Sequence, residues 1–228
     1  SLIMNKKIYE KINCPICGVN DYKVLRQNKF TESTNTNSSL EYFNSSSNHK
    51  LTQQLVKCSE CGLVYVNPRF SSNIINSGYS YNEDKKFITQ DNERIESFKI
   101  NLKNILNLLS LTKKRLSILD VGSAGGAFLE SVDKKYIYCD GIEPNKWLVK
   151  KAKENYKNIN IFSNTINNYK SEKKYDLITY WDVFEHLTDI NEEMYYIKKL
   201  LKINSFLILN IPDYGSIHRK VLGYNWPF

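Results

Sequence analysis

Between residues 92 and 111, Ile95, Phe98, Leu102, Ile105, Leu106 and Leu109 recur at steps of three and four. That spacing predicts an amphipathic helix. From residue 116 the pattern changes. The short apolar runs "LSILDV", "YIYCDGIE", "NINIF", "YDLITYW" and "SFLILNI" predict buried strands, and helical patterns lie between several of them. Across 189–202, Ile190, Met194, Ile197 and Leu201 mark one helical face, and Asp189 followed by Glu192 fits a capping box at its start. Strands alternating with helices predict an α/β fold: a Rossmann-like, mostly parallel sheet with flanking helices and right-handed crossovers. Ligands of such sheets sit at the carboxyl ends of the strands.

Ahead of the sheet the patterning weakens. Residues 5–70 hold four of the five cysteines and a polar insertion, "TESTNTNSSLEYFNSSSN", whose lack of periodicity predicts a loop. Residues 71–80 are rich in Ser, Asn and Gly and read as a linker. The expected organisation is a small zinc-ribbon-like module over 5–70, a linker and amphipathic helix over 71–115, and a ligand-binding domain over 116–228.

Composition narrows the picture. At 228 residues and 41% hydrophobic content the chain suits one mid-sized domain with a small appendage. No apolar run approaches a bilayer span, and the apolar part of "SLIMNKKIYEKI" is too short for a signal peptide. A cytoplasmic location is expected, with no membrane partner. The net charge of +8 invites a nucleic-acid reading. Only five of the 32 cationic residues are Arg (Arg26, Arg69, Arg94, Arg115, Arg219), however, and the lysines are scattered over amphipathic segments such as "KKAKENYKN". A solvated Lys-rich surface is the favoured reading.

The stretch "ILDVGSAGGAFLE", residues 118–130, offers almost no side chain directly after an apolar run. It predicts a strand ending at Val121, a tight turn, and a helix from Ala127 to Val132. Gly122 and Gly126 would let a ligand approach the main chain. Glu143 ends the next strand 21 residues after Gly122, where a carboxylate accepts hydrogen bonds from both hydroxyls of a ribose. Together these imply a nucleoside ligand. Read as Gly-x-Ala-x-x-Ala the loop weakly matches a dinucleotide fingerprint, but Asp120 at its mouth would repel a pyrophosphate. A carboxylate there suits a ligand carrying an ammonium and a sulfonium. The ligand with those charges and a ribose is S-adenosylmethionine. Taken singly, Asp120 could be a strand-end turn residue and Glu143 a carboxylate favoured by a helix start.

"ILDVGSAGGAFLE", "GIEPN" and "YDLITYWDVFEHLTD", in that order, resemble the class I S-adenosylmethionine-dependent methyltransferases. The positions of the family pattern Asp-x-Gly-x-Gly-x-Gly fall on Asp120, Gly122, Ala124 and Gly126, with Ala124 departing from the commonest Gly. The resemblance implies that Glu143 holds the ribose, that Thr165 or Ile166 flanks the adenine, and that Asp182 and Val183 lie beside the methionyl part. It also implies further acceptor-binding and sheet-closing elements after the fifth strand. The domain over 116–228 is therefore expected to lack its C-terminal part, and a catalytic base can lie beyond Phe228.

"NCPICG" and "KCSECG" are two C-x-x-C knuckles, the second followed by the apolar "LVYVNP". Cys14, Cys17, Cys58 and Cys61 can occupy the four corners of one structural Zn²⁺, with no open position for a water nucleophile. The 40 residues between the pairs exceed the usual span of about 15–20, and the polar insertion accounts for the excess. Disulfides and a redox C-x-x-C are the rivals; nothing marks an oxidising compartment, and a Gly after each pair argues against redox use. Cys139 lies within a predicted strand and reads as a plain buried residue. A knuckle pair with "CGLVYVNP" ahead of this domain resembles a subgroup that includes sugar C-methyltransferases. The resemblance implies a small acceptor, a sugar or sugar nucleotide. An RNA substrate is the alternative, since some ribosomal-RNA methyltransferases carry an N-terminal zinc site, and a non-catalytic cofactor-binding protein of the same fold is the second.

Methyl transfer needs an aligned acceptor, exclusion of water and, for some acceptors, a base. "WDVFEHL" puts Glu185 and His186 just past the fourth strand. His186 is a candidate base with a pKa suited to neutral pH, although shaping the cofactor pocket is the favoured role. His218, after the fifth strand, is the second candidate. His49 lies in the polar insertion and reads as solvated. Tyr79 and Tyr81 are candidates for a lid over the cofactor. Nothing in the sequence fixes an oligomeric state.

Overall fold

The structure is a computed structural model that describes residues 8–27, 53–81, 91–112 and 115–223. The polar insertion, with His49, lies outside the described residues. The chain divides into two compact units. One comprises Ser1–Tyr79, Thr188–Asn191 and Pro212–Phe228, the other Ser80–Leu187 and Glu192–Ile211.

In the first unit, β1 (Tyr9–Glu10) pairs antiparallel with β5 (Arg69–Phe70), an arrangement fastened by an ion pair from Arg69 Nε to Glu10 Oε1 at 2.9 Å. Strands β2 (Tyr22–Arg26), β3 (Leu55–Cys58) and β4 (Val64–Val66) form a three-stranded antiparallel sheet. Its core is small: Val56 and Tyr65 pack with Cys14 and Cys58. A core of that size gives little hydrophobic stabilisation, which is the circumstance in which small folds rely on a metal or disulfides. The expected linker over 71–80 is instead α1 (Ser72–Tyr81), a ten-residue helix. Ser, Asn and Gly favour turns when solvated, but Ile74 and Ile75 are half-buried here, and tertiary contacts override weak local preferences.

The second unit is built on one five-stranded sheet, all parallel. Its strands are β6 (Leu116–Val121), β7 (Ile137–Glu143), β8 (Asn160–Ser163), β9 (Tyr175–Trp181) and β10 (Leu201–Asn210), in the spatial order β10-β9-β6-β7-β8. The expected runs at 116–121 and 175–181 coincide with β6 and β9. The helix expected over 92–111 is α2 (Asp91–Leu108). The shorter helices are α3 (Ala127–Ser131), α4 (Lys146–Asn155) and α5 (Ile190–Leu200).

Both faces of the sheet are covered, which is why its strands are continuous apolar runs. Alternate residues serve the two faces. Ile118 and Leu177 pack with Leu102 of α2, Phe128 of α3 and Ala152 of α4. Leu119 and Ile178 pack on the other side with Ile197 and Leu200 of α5 and with Ile166. The helix expected over 189–202 stops at Leu200, because Leu201 already pairs with Tyr175 of β9. Between Leu201 and Phe206 the register slips, with Asn204 in a left-handed conformation.

One carboxylate lies wholly inside the sheet layer. Asp140 of β7 accepts hydrogen bonds from the hydroxyls of Tyr138 (2.7 Å) and Tyr175 (2.8 Å), so its burial is compensated. Among the described residues no helix is long and apolar enough to cross a membrane.

Candidate cofactor and metal sites

The order of the sheet reverses between β6 and β9, and ligands of open α/β sheets lie at the carboxyl ends of the strands flanking such a point. The glycine turn follows β6, Glu143 ends β7, and Asp182 and Val183 follow β9. Three adjacent strands therefore carry the expected cofactor residues at one edge.

The turn is fixed by its backbone. The N–H groups of Gly122 and Ser123 both donate to Ile142 O, at 2.8 and 3.1 Å, and Gly126 N–H donates to Ser123 O at 2.9 Å. Gly122, Ala124 and Gly126 all have positive φ, at 75°, 45° and 85°. The glycines also answer a packing demand. The place of a Cβ on Gly122 is taken by Val183, whose Cγ2 would stand 2.5 Å away. On Gly126 a Cβ would meet Ile159 Cδ1 at 2.9 Å. Val183 and Gly122, both expected at the cofactor, are thus in contact with each other.

The carboxylates of the site are held by the chain itself. Asp120 is buried and accepts a hydrogen bond from Thr179 Oγ1 to its Oδ1 at 2.7 Å, across a registered pair of β6 and β9. Glu143 accepts from Ala124 N–H through Oε2 and from Asn145 N–H through Oε1, both at 2.9 Å. Each oxygen keeps a second lone pair for a ligand donor. Burial drives both acids up to about 7, against the hydrogen bonds that favour the charged form. Asp182, at φ 55°, is raised by burial as well. A set of buried carboxylates raised toward neutrality favours a cationic, hydroxyl-bearing ligand, and the donor and acceptor chemistry fits S-adenosylmethionine.

The remaining expected residues are distributed differently. Thr165 is exposed, whereas Ile166 is buried in the core with residues of β6, β7 and β9. Glu185 and His186 lie on a short 3-10 turn, Phe184–His186. His186 Nε2 stands 3.9 Å from Glu185 Oε1. Burial drives Glu185 to about 7. The His186 side chain keeps 48% of its surface exposed, and packing of the remainder lowers its pKa. His218 lies in α6 (Ile217–Leu222), and Tyr79 in α1, both in the first compact unit. Sequence reasoning missed three groups: Thr179, which holds Asp120; Asn145, which caps α4 by accepting from Trp147 and Leu148 N–H; and Arg94 of α2. Asn145 had a signal, since Pro-Asn before a helical pattern is a helix start; the others sit inside ordinary strand and helix patterns.

The cysteine module is built twice over. Gly18 N–H donates to Cys14 O at 2.9 Å and Gly62 N–H to Cys58 O at 3.2 Å, with both glycines at positive φ, 77° and 75°. Each turn aims its two thiols the same way, and the sulfurs of Cys14, Cys17, Cys58 and Cys61 all lie within 4.8 Å of one another. Cys14 to Cys61 and Cys17 to Cys58 are 3.5 Å apart. A tetrahedral Zn²⁺ with Zn–S of about 2.3 Å requires sulfurs about 3.8 Å apart, so the donor set fits that ion. All five cysteines are free. Backbone N–H groups of Cys61 and Glu60 pull Cys58 down to about 7. Cys61 is drawn down by the Leu63 N–H, but desolvation and its three thiol neighbours outweigh that and push it up to about 12. With all four deprotonated, thiolates this close would need a cation between them. Cys139 is apart, buried in the sheet core as expected.

Residues 93–228, more than half of the chain, match the model of the methyltransferase domain family. No curated protein sequence matches the chain. Among solved structures, the chain is similar to the plantazolicin methyltransferase BpumL in complex with a pentazolic desmethyl analogue and SAH. The identity is 22% over 59% of this chain and 56% of that one, with a TM-score of 0.48. It is similar also to a putative S-adenosylmethionine-dependent methyltransferase from Methanococcus maripaludis, with 19% identity, 59% and 63% coverage and a TM-score of 0.49. A third is a methyltransferase from Clostridium acetobutylicum, with 18% identity, 56% and 54% coverage and a TM-score of 0.47. The chain thus spans somewhat over half the length of the structures it resembles. By the family match and its parallel, Rossmann-like sheet, the chain belongs to the methyltransferase domain family, within the class I S-adenosylmethionine-dependent methyltransferases.

Proposed function

We propose that the chain binds S-adenosylmethionine at Asp120, Gly122, Ala124, Gly126, Glu143, Thr165, Asp182 and Val183, with the backbone of Ile166 at the adenine, and transfers its methyl group to a small acceptor, a sugar or sugar nucleotide. The observation that carries the reading is the hydrogen bond between Glu143 Oε2 and Ala124 N–H. It ties the ribose-binding acid to the glycine turn at a topological switch point. The cofactor supplies a methyl group activated by a sulfonium. The chain's task is to bind and orient, to exclude water and to move a proton where the acceptor requires it. His186 is the candidate base, with Glu185 beside it to support the charged imidazolium; His218 is the second candidate. The Cys14, Cys17, Cys58 and Cys61 set would hold a structural zinc, and free cysteines throughout suit the reducing cytoplasm.

Calorimetry with S-adenosylhomocysteine tests the cofactor assignment. Glu143→Ala should lose about 2–4 kcal/mol of binding, the worth of two charge-assisted hydrogen bonds. Binding of NADH in place of the adenosyl ligand would sink the reading. A small acceptor is favoured because the positive charge is mostly dispersed lysine. The RNA alternative draws on Tyr136 and Tyr138, which are exposed and have Lys135 and Lys173 over their rings at 5.1 and 4.4 Å. Salt separates the two: RNA affinity would fall steeply between low and moderate salt, and a sugar site would barely respond. Turnover separates either from a non-catalytic cofactor binder.

A further inference from the structure

The expected cofactor residues stand at the carboxyl ends of the strands. A second recess, of about 400 Å³, lies at the opposite, amino edge of the same sheet. That volume is within the range of small-ligand sites, about 300–1,000 Å³. The recess arises because the strands start at different levels. β7 begins at Ile137, but its first pair with β8 is Asp140 with Asn160, so Ile137, Tyr138 and Cys139 run ahead of the neighbouring strand. Leu129 of α3, Val132 behind it and Ile159 ahead of β8 supply apolar walls. The seven residues of β7, at about 3.3 Å each, put this recess about 20 Å from Glu143.

The rim carries a different chemistry. The charged residues that line it are Arg115, Lys134 and Lys135, all cations. Lys134 is bound to Glu130 at 2.5 Å, so Arg115 and Lys135 are the pair offered to an anion. Tyr136 keeps 51% of its surface exposed, with the Lys135 ammonium 5.1 Å from the centre of its ring. The Tyr136 carbonyl accepts from Leu116 N–H at 3.0 Å, and the Tyr136 N–H donates to Asp133 O at 3.0 Å. The turn over Lys134–Tyr136 is thereby held against the chain at Arg115, and one rim shares the aromatic ring and both cations. Asn158 and Asn160 line the β8 side, and each amide is both a donor and an acceptor.

We propose that this recess binds a mononucleotide. The base stacks on Tyr136 and packs against the apolar walls, while the Asn158 and Asn160 amides meet the donors and acceptors of its edge. Arg115 and Lys135 take the phosphate. A bare anion would leave the ring and the apolar walls without a role, and an uncharged aromatic would leave the cations without one. The distance to Glu143 separates this ligand from the methyl-transfer chemistry, so it is neither the cofactor nor the acceptor.

Calorimetry of the full chain with S-adenosylhomocysteine in excess tests it, since that ligand closes the adenosine site at the other edge. Adenosine monophosphate should still bind, at one per chain. Arg115→Gln and Tyr136→Ala should each weaken it by about tenfold, through loss of a charge-assisted contact and of base stacking. Both residues are exposed, so the variants should bind S-adenosylhomocysteine as wild type does. Adenosine, without the phosphate, should be indifferent to Arg115→Gln. No binding of the nucleotide, or binding that neither substitution weakens, would overturn the proposal. So would inorganic phosphate binding as tightly as the nucleotide, the behaviour of a bare anion patch. A short oligoadenylate that binds where the nucleotide does not would overturn it in favour of a surface for an extended strand. If S-adenosylhomocysteine fails to bind, the cofactor reading falls. The two substitutions still decide this one, because neither residue lies at the cofactor edge.

Discussion

Four glycines of this chain adopt nearly the same left-handed backbone, and they do so in two different surroundings. Gly18 and Gly62 close the cysteine knuckles at φ 77° and 75°. A Cβ on Gly18 would meet nothing within 4 Å, and on Gly62 only the Lys57 Cε at 3.7 Å. Gly122 and Gly126 at the end of β6 have φ 75° and 85°, but a Cβ there would run into Val183 and Ile159. In the module the glycine answers a backbone demand alone. In the sheet it answers a backbone demand and a packing one. The module's four thiols could hold a metal that fastens it, whereas the loop is packed by van der Waals contact.

The sharpest way to break the comparison is to take away the thiols. Cys58→Ser, or a strong chelator, should reduce zinc from one per chain to none in metal analysis. Structural zinc contributes on the order of 10 kcal/mol of folding free energy, so the first unit should lose its structure. The second unit has its own two-sided core and should keep its helical circular dichroism. A protein purified without chelator that carries no zinc, and is as stable, would refute the metal assignment.

Next in size is the contrast between the glycines themselves. Gly122→Ala should cost about 3 kcal/mol, combining left-handed strain with overpacking against Val183. Gly18→Ala should cost only about 1 kcal/mol, the strain alone. Adding Val183→Ala to Gly122→Ala should recover part of the loss, whereas the pair would be additive if the clash were imaginary. Chemical denaturation of wild type, the Gly18→Ala, Gly122→Ala and Val183→Ala single variants and the double variant reads these differences directly.

The contrast also explains what the sequence disclosed. The sheet was legible because strands buried on both faces are apolar at most positions, and β6 and β9 are so apart from Ser117, Asp120, Asp176 and Thr179. Glu143 was legible because it ends a strand at a fixed distance from a glycine turn. The packing purpose of Gly122 was not, since its partner Val183 lies 61 positions away and meets it only when β6 and β9 pair. Arg94 was hidden for a related reason. On an amphipathic helix any cation reads as a solvated face, and only the reach of its charge to Asp120 and Asp182 sets this one apart. The helix over Ser72–Tyr81 escaped notice because its composition favours turns and its half-buried isoleucines are too few for a clear period.

Acidity gives a test of intermediate size. Asp120 and Glu143 keep their protons up to about 7 in the folded chain, whereas unfolded carboxylates release theirs near 4. The folded state thus holds more protons across that window, and its stability falls as pH rises from about 4 to about 7. From pH 6 to pH 8 each such group should withdraw about 1.4 kcal/mol. Asp120→Asn keeps an acceptor for Thr179 and cannot ionise, so its denaturation midpoint should fall less over that interval. An unchanged slope would show that Asp120 is already ionised at pH 6.

The smallest effect belongs to Ala124, the one residue of the turn that has positive φ without being glycine. A left-handed alanine is strained by about 1–2 kcal/mol relative to glycine. Its N–H is nonetheless committed to Glu143 Oε2, so the conformation is imposed by the loop and not by the residue. Ala124→Gly keeps that hydrogen bond and removes the strain. Against this stands the greater freedom of glycine in the unfolded chain, worth about 0.4–1 kcal/mol. The balance is a gain of about 0.5 kcal/mol, a rise of about 1–2 °C in Tm for a chain of this size. Affinity for S-adenosylhomocysteine should be unchanged, because the donor that orients Glu143 stays in place. A lower Tm would mean that the alanine methyl, half-buried at the turn, contributes packing that outweighs its strain.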